Sequence, residues 1–392
     1  MTNGVCLAIC LRHTAGRIAG LLAILPFAIP LSAEAALSIE VAGNHLVNGS
    51  GQTVHLIGFN RQSAEYMCVS TNVTFDDNVS GQAHDQAEIT AMKSWGAAVN
   101  IVRIPLNEDC WLGLNGLPSG RLASAYQTDI INYVNLLHAN GLYAELDLHW
   151  NAPGTTKATG QTNMADYDHS IAFWQSVATA FQNDQAVIFD LYNEPHDVTW
   201  QCWNTGGPEC TSPGWRTAGM AEMIAGIRNA EGTGWHHPVT VAGLGWSNDV
   251  SGWLANRPAD SASQEIAGIH SYNDGAGGSG GCPASNGGVF NENNCATTIF
   301  GGIKSAGYPI FVNELGDLAA GGCTYSTYLN SLVNWFDTNG DGYEPWSWGS
   351  YGCGNPSLLN SNGSPVSTYG TGMQAHMLSL PALPPPPTDT TP

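Results

Sequence analysis

Short apolar runs rich in Val, Ile and Leu recur at Val54–Phe59, Val99–Leu106, Leu142–His149, Ala186–Asn193, Pro238–Gly243, Ile266–Tyr272, Pro309–Glu314 and Tyr343–Trp348. Runs of this length, apolar on both faces, read as buried strands. Between most of them lie stretches with helical spacing: Tyr126–Asn140, with Ile130, Val134 and Leu137 on one face, then Asp168–Phe181, Ala218–Asn229 and Thr327–Phe336. Strand alternating with helix predicts parallel pairing, and eight strand candidates predict a closed (β/α)8 TIM barrel of the α/β class. A doubly wound open sheet would carry a Gly-rich turn after its first strand, where this chain has Phe59-Asn60-Arg61-Gln62. Ahead of the barrel, Leu37–Asn60 begins as a short β-hairpin around Gly43-Asn44, with a second turn at Asn48–Gly51.

The two ends break this pattern. Arg12 and Arg17 flank the start of an apolar run, Ile18–Leu31, and Ala33-Glu34-Ala35 places small residues where a signal peptidase inspects them. Residues 1–35 therefore read as a secretory signal peptide. The run is shorter than the ~20 residues of a membrane span and is interrupted by Pro26 and Pro30. Residues 381–392, with Pro384–Pro387 consecutive, read as a Pro-rich tail or linker stub, which leaves residues 36–380 for the barrel.

Charge narrows the function classes. The chain has 11 Lys and Arg against 32 Asp and Glu, a net charge of -21, and removing the leader leaves 9 basic and 31 acidic residues. Such an excess repels phosphate backbones and anionic lipid, so no nucleic-acid partner and no membrane association of the mature, monomeric protein is expected. Eight cysteines remain after the leader, Cys68, Cys110, Cys202, Cys210, Cys282, Cys295, Cys323 and Cys353, and an even number in an exported chain reads as disulfides. The close pairs Cys202/Cys210 and Cys282/Cys295 would each staple one loop; Cys68/Cys110 and Cys323/Cys353 are left by elimination. No C-x-x-C spacing suggests a cysteine zinc site, and no metal or cofactor is expected.

In a barrel of this kind, catalytic side chains project from the carboxyl ends of the strands. Polar residues interrupt the apolar runs there: Arg103, His149, Asn193-Glu194-Pro195, His270-Ser271-Tyr272, Asn313-Glu314 and Trp346-Ser347-Trp348. Glu194 and Glu314, at the ends of the fourth and seventh strands, would face each other across the barrel mouth. Two carboxyls flanking a bond are what glycoside hydrolysis requires, one to protonate the departing oxygen and one to attack or to activate water.

In order and strand position these motifs resemble glycoside hydrolase family 5, the cellulase and mannanase family of clan A, over about residues 39–380. The resemblance implies a retaining β-glycosidase in which Glu194 is the general acid/base and Glu314 the nucleophile, their carboxyls about 5–5.5 Å apart. Arg103 is suited to keeping Glu314 ionised, Tyr272 to donating to the same carboxylate, and the charge of Glu314 to raising the pKa of Glu194. Asn193 would bond the sugar 2-hydroxyl, His149 and His270 would orient hydroxyls and carboxylates, and Trp348 would stack on the sugar, with Trp346 as second choice. Trp150, with Trp111, Trp200, Trp203 and Trp246, falls at or just after strand ends, where platform and core readings compete; Trp95, Trp174, Trp253 and Trp335 read as core.

Other signals lead elsewhere. Asp337–Gly342 begins like a calcium loop but has Trp348 where the bidentate Glu belongs, so it reads as a helix-ending turn. Gly277–Gly281 fits a serine elbow only by letter, and His236-His237 reads as a turn pair. The expected protein is a secreted endo-β-1,4-glucanase acting on a plant polysaccharide. Mannanase, xyloglucanase and exo-acting relatives are the alternatives within the family, and a non-catalytic sugar-binding barrel is the alternative outside it.

Overall fold

A computed structural model describes residues 37–77, 84–118, 122–273, 298–318 and 323–382. The expected leader, Cys282 and Cys295 with their expected pairing, Gly277–Gly281 and most of the Pro-rich tail lie outside these residues. Strands β1 (Glu40–Ala42) and β2 (His45–Val47) form the antiparallel hairpin. Eight further strands follow among the described residues: β3 (Ile57–Asn60), β4 (Val99–Asn107), β5 (Tyr143–Trp150), β6 (Val187–Asp190), β7 (Val239–Ala242), β8 (Glu265–Tyr272), β9 (Ile310–Gly316) and β10 (Gly342–Pro345). Each pairs in parallel with its sequence neighbours, and β10 closes the barrel between β9 and β3.

All eight strands overlap the apolar runs of the sequence. Two of them stop short: β6 ends at Asp190 and β10 at Pro345. Asn193-Glu194 and Trp346–Trp348 therefore sit on the connections just beyond the strands, where the backbone is free of the period-two alternation that governs side-chain direction inside a strand.

The lumen is layered. At the amino-terminal end Leu56, Ile101, Tyr143, Ile188, Ile266 and Phe311 form an apolar floor, sealed from below by Ile39 and Leu46 of the hairpin segment. One step up each strand the side chains become polar: Arg103 follows Ile101, Glu145 follows Tyr143 and Asp190 follows Ile188. Glu145 accepts a 2.6 Å bond from Thr240 and Asp190 a 2.7 Å bond from Asn313 across the lumen. Barrel interiors are ordinarily filled with bulky apolar side chains. Here the floor alone is apolar, and the layer above it is built of ionisable side chains.

Helices cover the outside as the periodicity predicts. Ala123–Ala139 buries Tyr126, Ile130, Tyr133, Val134 and Leu137 in one stripe, and Ser170–Phe181 buries Phe173, Trp174, Val177, Ala178 and Phe181. Thr327–Asn339 ends on Gly340, whose φ of 71° is left-handed. Asp341 there pairs with Lys304 at 2.6 Å and Asp337 with His376 at 2.8 Å, so Asp337–Gly342 is the helix-ending turn. Both imidazoles of His236-His237 bond Glu231.

Disulfides Cys68–Cys110, Cys202–Cys210 and Cys323–Cys353 are formed, three of the four expected pairs. All three lie in connections that follow barrel strands, so they staple the rim at the end where the polar strand termini gather. No helix among the described residues is long and apolar enough to cross a membrane.

Candidate active site

A cleft of about 500 Å³ opens at the carboxyl ends of the strands, lined among others by His149, Gln161, Asn193, Glu194, Trp246, Tyr272, Glu314 and Trp346. Glu314 lies in β9, where the register with β8 sets it directly beside His270. Its Oε1 accepts from Arg103 Nη1 at 2.7 Å and its Oε2 from the Tyr272 hydroxyl at 2.8 Å. Glu194 reaches the same space from beyond β6. Its Oε1 lies 2.9 Å from His270 Nδ1, and its Oε2 accepts from Gln161 Nε2 at 2.8 Å. His270 Nδ1 is also 3.4 Å from Glu314, and one oxygen of each glutamate lies within 4.8 Å of the other.

Arg103 is the hub beneath this pair. Its Nη1 also donates to Asn60 at 2.8 Å, while Nη2 contacts Asp190 at 2.8 Å, Asp147 at 3.0 Å and Asn193 at 3.0 Å. Glu145 is 3.6 Å from Nε. A guanidinium stays charged under these conditions and fixes several acceptors at once in its planar fork.

Burial dominates the titration of the site. It raises the Glu194 pKa above its ordinary value; this is a correction to the expectation that the Glu314 charge would do so. It lowers His270 to about 3 and His149 to about 4, so both imidazoles are neutral near pH 7. A neutral His270 withholds the positive charge that would otherwise favour an ionised Glu194. In the polar layer below, burial raises Asp147 to about 7 and both Glu145 and Asp190 to about 8.

The structure thus brings together Arg103, His149, Asn193, Glu194, His270, Tyr272, Glu314 and Trp346. It does not bring Trp348 or Trp150 into the cleft. Trp348 is buried, 4.8 Å from Phe59 and 5.2 Å from Trp95 between ring centroids, and belongs to the core. The order of the two tryptophans is reversed because β10 has already ended: the Ser347 amide turns to Pro356 and the Trp348 amide to Asn60, so the two indoles do not share a face. Trp346 lines the cleft and stacks on His149, 5.4 Å apart and 9° from parallel. Trp150 ends β5, where the register with β4 shifts between Leu148 and Trp150, and its indole packs near Tyr66 instead of lining the cleft. Trp111 and Trp203 are core, whereas Trp246 is 52% exposed on the cleft wall.

Sequence reasoning missed four participants. Gln161 sits mid-loop without periodic context, so nothing local marks it. Asp147 and Asp190 were legible in principle: Glu145, Asp147 and His149 are spaced by two, hence on one face of a strand, and Asp190 stands two residues above Ile188. Asn60, which donates to the Asn313 and Glu344 carbonyls while accepting from Arg103, is the first polar residue after the β3 run.

Comparison with known proteins is consistent with this geometry. The cellulase family, glycosyl hydrolase family 5, matches residues 47–352. Endoglucanase 1 of Saitozyma flava is 27% identical over 179 residues, 45% of this chain and 49% of that protein. Endoglucanase 1 of Robillarda sp. (strain Y-20) is 25% identical over 254 residues, 60% of this chain and 61% of that protein. The chain thus spans about half to three fifths of these relatives. Among solved structures, the cellulase Cel5C_n superposes with a TM-score of 0.61 at 19% identity, covering 88% of this chain and 92% of that one. A β-glucanase from Saccharophagus degradans in complex with cellotetraose gives 0.59 at 18%, covering 87% and 93%. At these identities the superpositions speak for the barrel alone.

Proposed function

The chain belongs to glycosyl hydrolase family 5, and from that premise we propose that it is a secreted, retaining β-glycoside hydrolase, an endo-β-1,4-glucanase in which Glu314 is the nucleophile and Glu194 the acid/base. The carrying observation is the closeness of the two glutamates, one oxygen of each lying within 4.8 Å of the other. An inverting pair must leave room for a water and stands about 6.5–9.5 Å apart, whereas a retaining pair stands about 5–5.5 Å apart.

The environments fit the two roles. Glu314, held by Arg103 and Tyr272, attacks the anomeric carbon as a carboxylate. As its new bond forms, the glycosidic C–O bond breaks and Glu194, whose pKa burial raises, delivers its proton to the leaving oxygen. Glu194 then takes a proton from water, whose oxygen displaces Glu314 from the sugar and restores the starting state. Two inversions at one carbon give net retention.

The substrate class rests on the cleft walls and the relatives. Trp246 and Trp346 offer flat apolar faces to the C–H faces of sugar rings, and a neutral glucan meets no repulsion from an acidic protein. The relatives named above are endoglucanases, and the Saccharophagus structure holds cellotetraose. Export agrees with the leader and the disulfides.

Two measurements check this reading. On a panel of carboxymethylcellulose, mixed-linkage glucan, mannan and xyloglucan, turnover is expected to be fastest on the β-1,4-linked glucans. Mixed oligomers should appear from the start, and proton NMR should show the β anomer first. A single small sugar from the outset would exclude endo action, and an α first product would exclude the assigned roles. Separately, Trp346→Ala is expected to raise KM roughly tenfold, the loss of about 1–1.5 kcal/mol of stacking. Trp348→Phe should leave KM unchanged and cost about 1–3 kcal/mol of stability through lost packing. A reversal of these two phenotypes would return Trp348 to the cleft.

A further inference from the structure

A second cluster of ligating side chains lies apart from the cleft, between the ends of β4 and β5. Glu108 opens the short helix that follows β4, while Asp166 and His169 close the connection from β5 to the helix Ser170–Phe181. Glu108 Oε1 and Asp166 Oδ1 are each 3.7 Å from His169 Nδ1, and ligating atoms of all three residues lie within 4.8 Å of one another. None of the three lines the cleft.

The inner face of this cluster is loosely bonded, since the two ion-pair contacts of His169 Nδ1 are both 3.7 Å long. Glu108 is fully buried, yet its Oε1 makes no hydrogen bond among the described residues, and the same is true of the buried His169 Nδ1. Two such atoms facing each other are unusual in a folded interior, where buried polar atoms are nearly always bonded. The outer oxygens, in contrast, are fixed: Glu108 Oε2 accepts from Ser170 at 2.6 Å and Asp166 Oδ2 from Asn151 at 2.9 Å. Asp166 Oδ1 also accepts the His169 amide at 2.8 Å and keeps a second lone pair. Orienting bonds on the far side of each carboxylate are what metal ligands ordinarily have.

We propose that Glu108, Asp166 and His169 bind a divalent cation of the zinc class at a site separate from the catalytic cleft. Four-coordinate zinc holds its ligands about 2.0–2.2 Å away, which sets them roughly 3.4 Å from one another, so small side-chain shifts close this cluster around the ion. An imidazole nitrogen with two carboxylates suits a first-row transition cation, whereas calcium and magnesium favour all-oxygen sets. The ion ties the end of β4 to the carboxyl-terminal end of the segment 151–169, whose Asn151 donates to Asp166 and whose Gln161 holds Glu194. A proton on His169, whose pKa the Glu108 carboxylate raises to about 9, is the rival occupant. The site does not depend on the glycosidase reading.

The test is calorimetric titration of zinc chloride into chelator-stripped full-length protein, with melting followed in parallel. The wild type and Glu314→Gln, which disables the other group of ligating atoms at the cleft, should each bind one equivalent. The melting temperature should rise by roughly 3–5 °C at free zinc about 100 times Kd. Glu108→Gln and His169→Asn should lose both the stoichiometric binding and the melting shift. Should Glu108→Gln fail to fold, His169→Asn, whose side chain is partly exposed, decides alone. No binding by the wild type, or binding kept in His169→Asn and lost in Glu314→Gln, would overturn the proposal.

Discussion

Glu314→Gln is expected to lower kcat on cello-oligosaccharides by about 10⁴-fold or more, because an amide neither attacks the anomeric carbon nor carries the charge that Arg103 and Tyr272 are arranged to hold. Glu194→Gln should look different. On a polysaccharide, whose leaving alkoxide needs a proton, it should lose about 10²–10⁴-fold. On an aryl glycoside with an acidic phenol the first step needs no proton, so a burst of phenol should appear while the glycosyl-enzyme accumulates, its hydrolysis lacking a base. Burst kinetics on a dinitrophenyl cellobioside separate the two variants. The same loss for both, on both substrates, would show that the roles are not divided as assigned.

Where these side chains lie was readable in much of the sequence, and the reasons are local. Strands buried on both faces write themselves as apolar runs, so eight runs located eight strands. A polar residue breaking such a run near its carboxyl end has to face the barrel mouth, which found Arg103, His149, His270 and Glu314. The same logic failed where the strand ended sooner than its apolar run. Past Pro345 alternation no longer applies, and the choice between Trp346 and Trp348 went to the indole that belongs to the core. Trp150 failed for a related reason: the register of β5 with β4 shifts between Leu148 and Trp150, and the indole packs near Tyr66 instead of on the cleft wall. Gln161 could not be read at all, since a loop side chain acquires its partner only when the chain is folded. The cause of the raised Glu194 pKa was also misjudged, because burial is a property of the packed site and not of the motif.

The polar layer beneath the cleft leads to the other large expected effect. Asp147, Glu145 and Asp190 bind protons in the folded chain up to about pH 7, 8 and 8 respectively, whereas the unfolded chain releases them near pH 4. Between these limits the folded state holds more protons than the unfolded state, so stability should fall as pH rises from 5 to 8, by about 1.4 kcal/mol per pH unit for each extra proton held. Below the unfolded values this contribution is fully present and no longer changes. Three groups act in the opposite sense: the hydrogen bonds from His237 and the Arg228 charge outweigh burial and depress Glu231 to about 2, so its share is lost as pH falls towards 2, and burial depresses His149 to about 4 and His270 to about 3, so their share is lost as pH falls below about 6.5 and offsets part of the acids' slope between pH 5 and 6.5. Maximal stability should therefore lie near pH 4–5, and scanning calorimetry at pH 3, 5 and 8 checks it. Arg103 moderates the slope, because its charge lowers the pKa of each acid in the layer. Arg103→Met should consequently cost about 3–5 kcal/mol at pH 8, where the acids are being forced to ionise without their counter-charge, and less at pH 5, where they are protonated. Urea unfolding at the two pH values measures the difference. A cost independent of pH would mean that Arg103 contributes packing and hydrogen bonds alone, and that the acids around it do not titrate in this window.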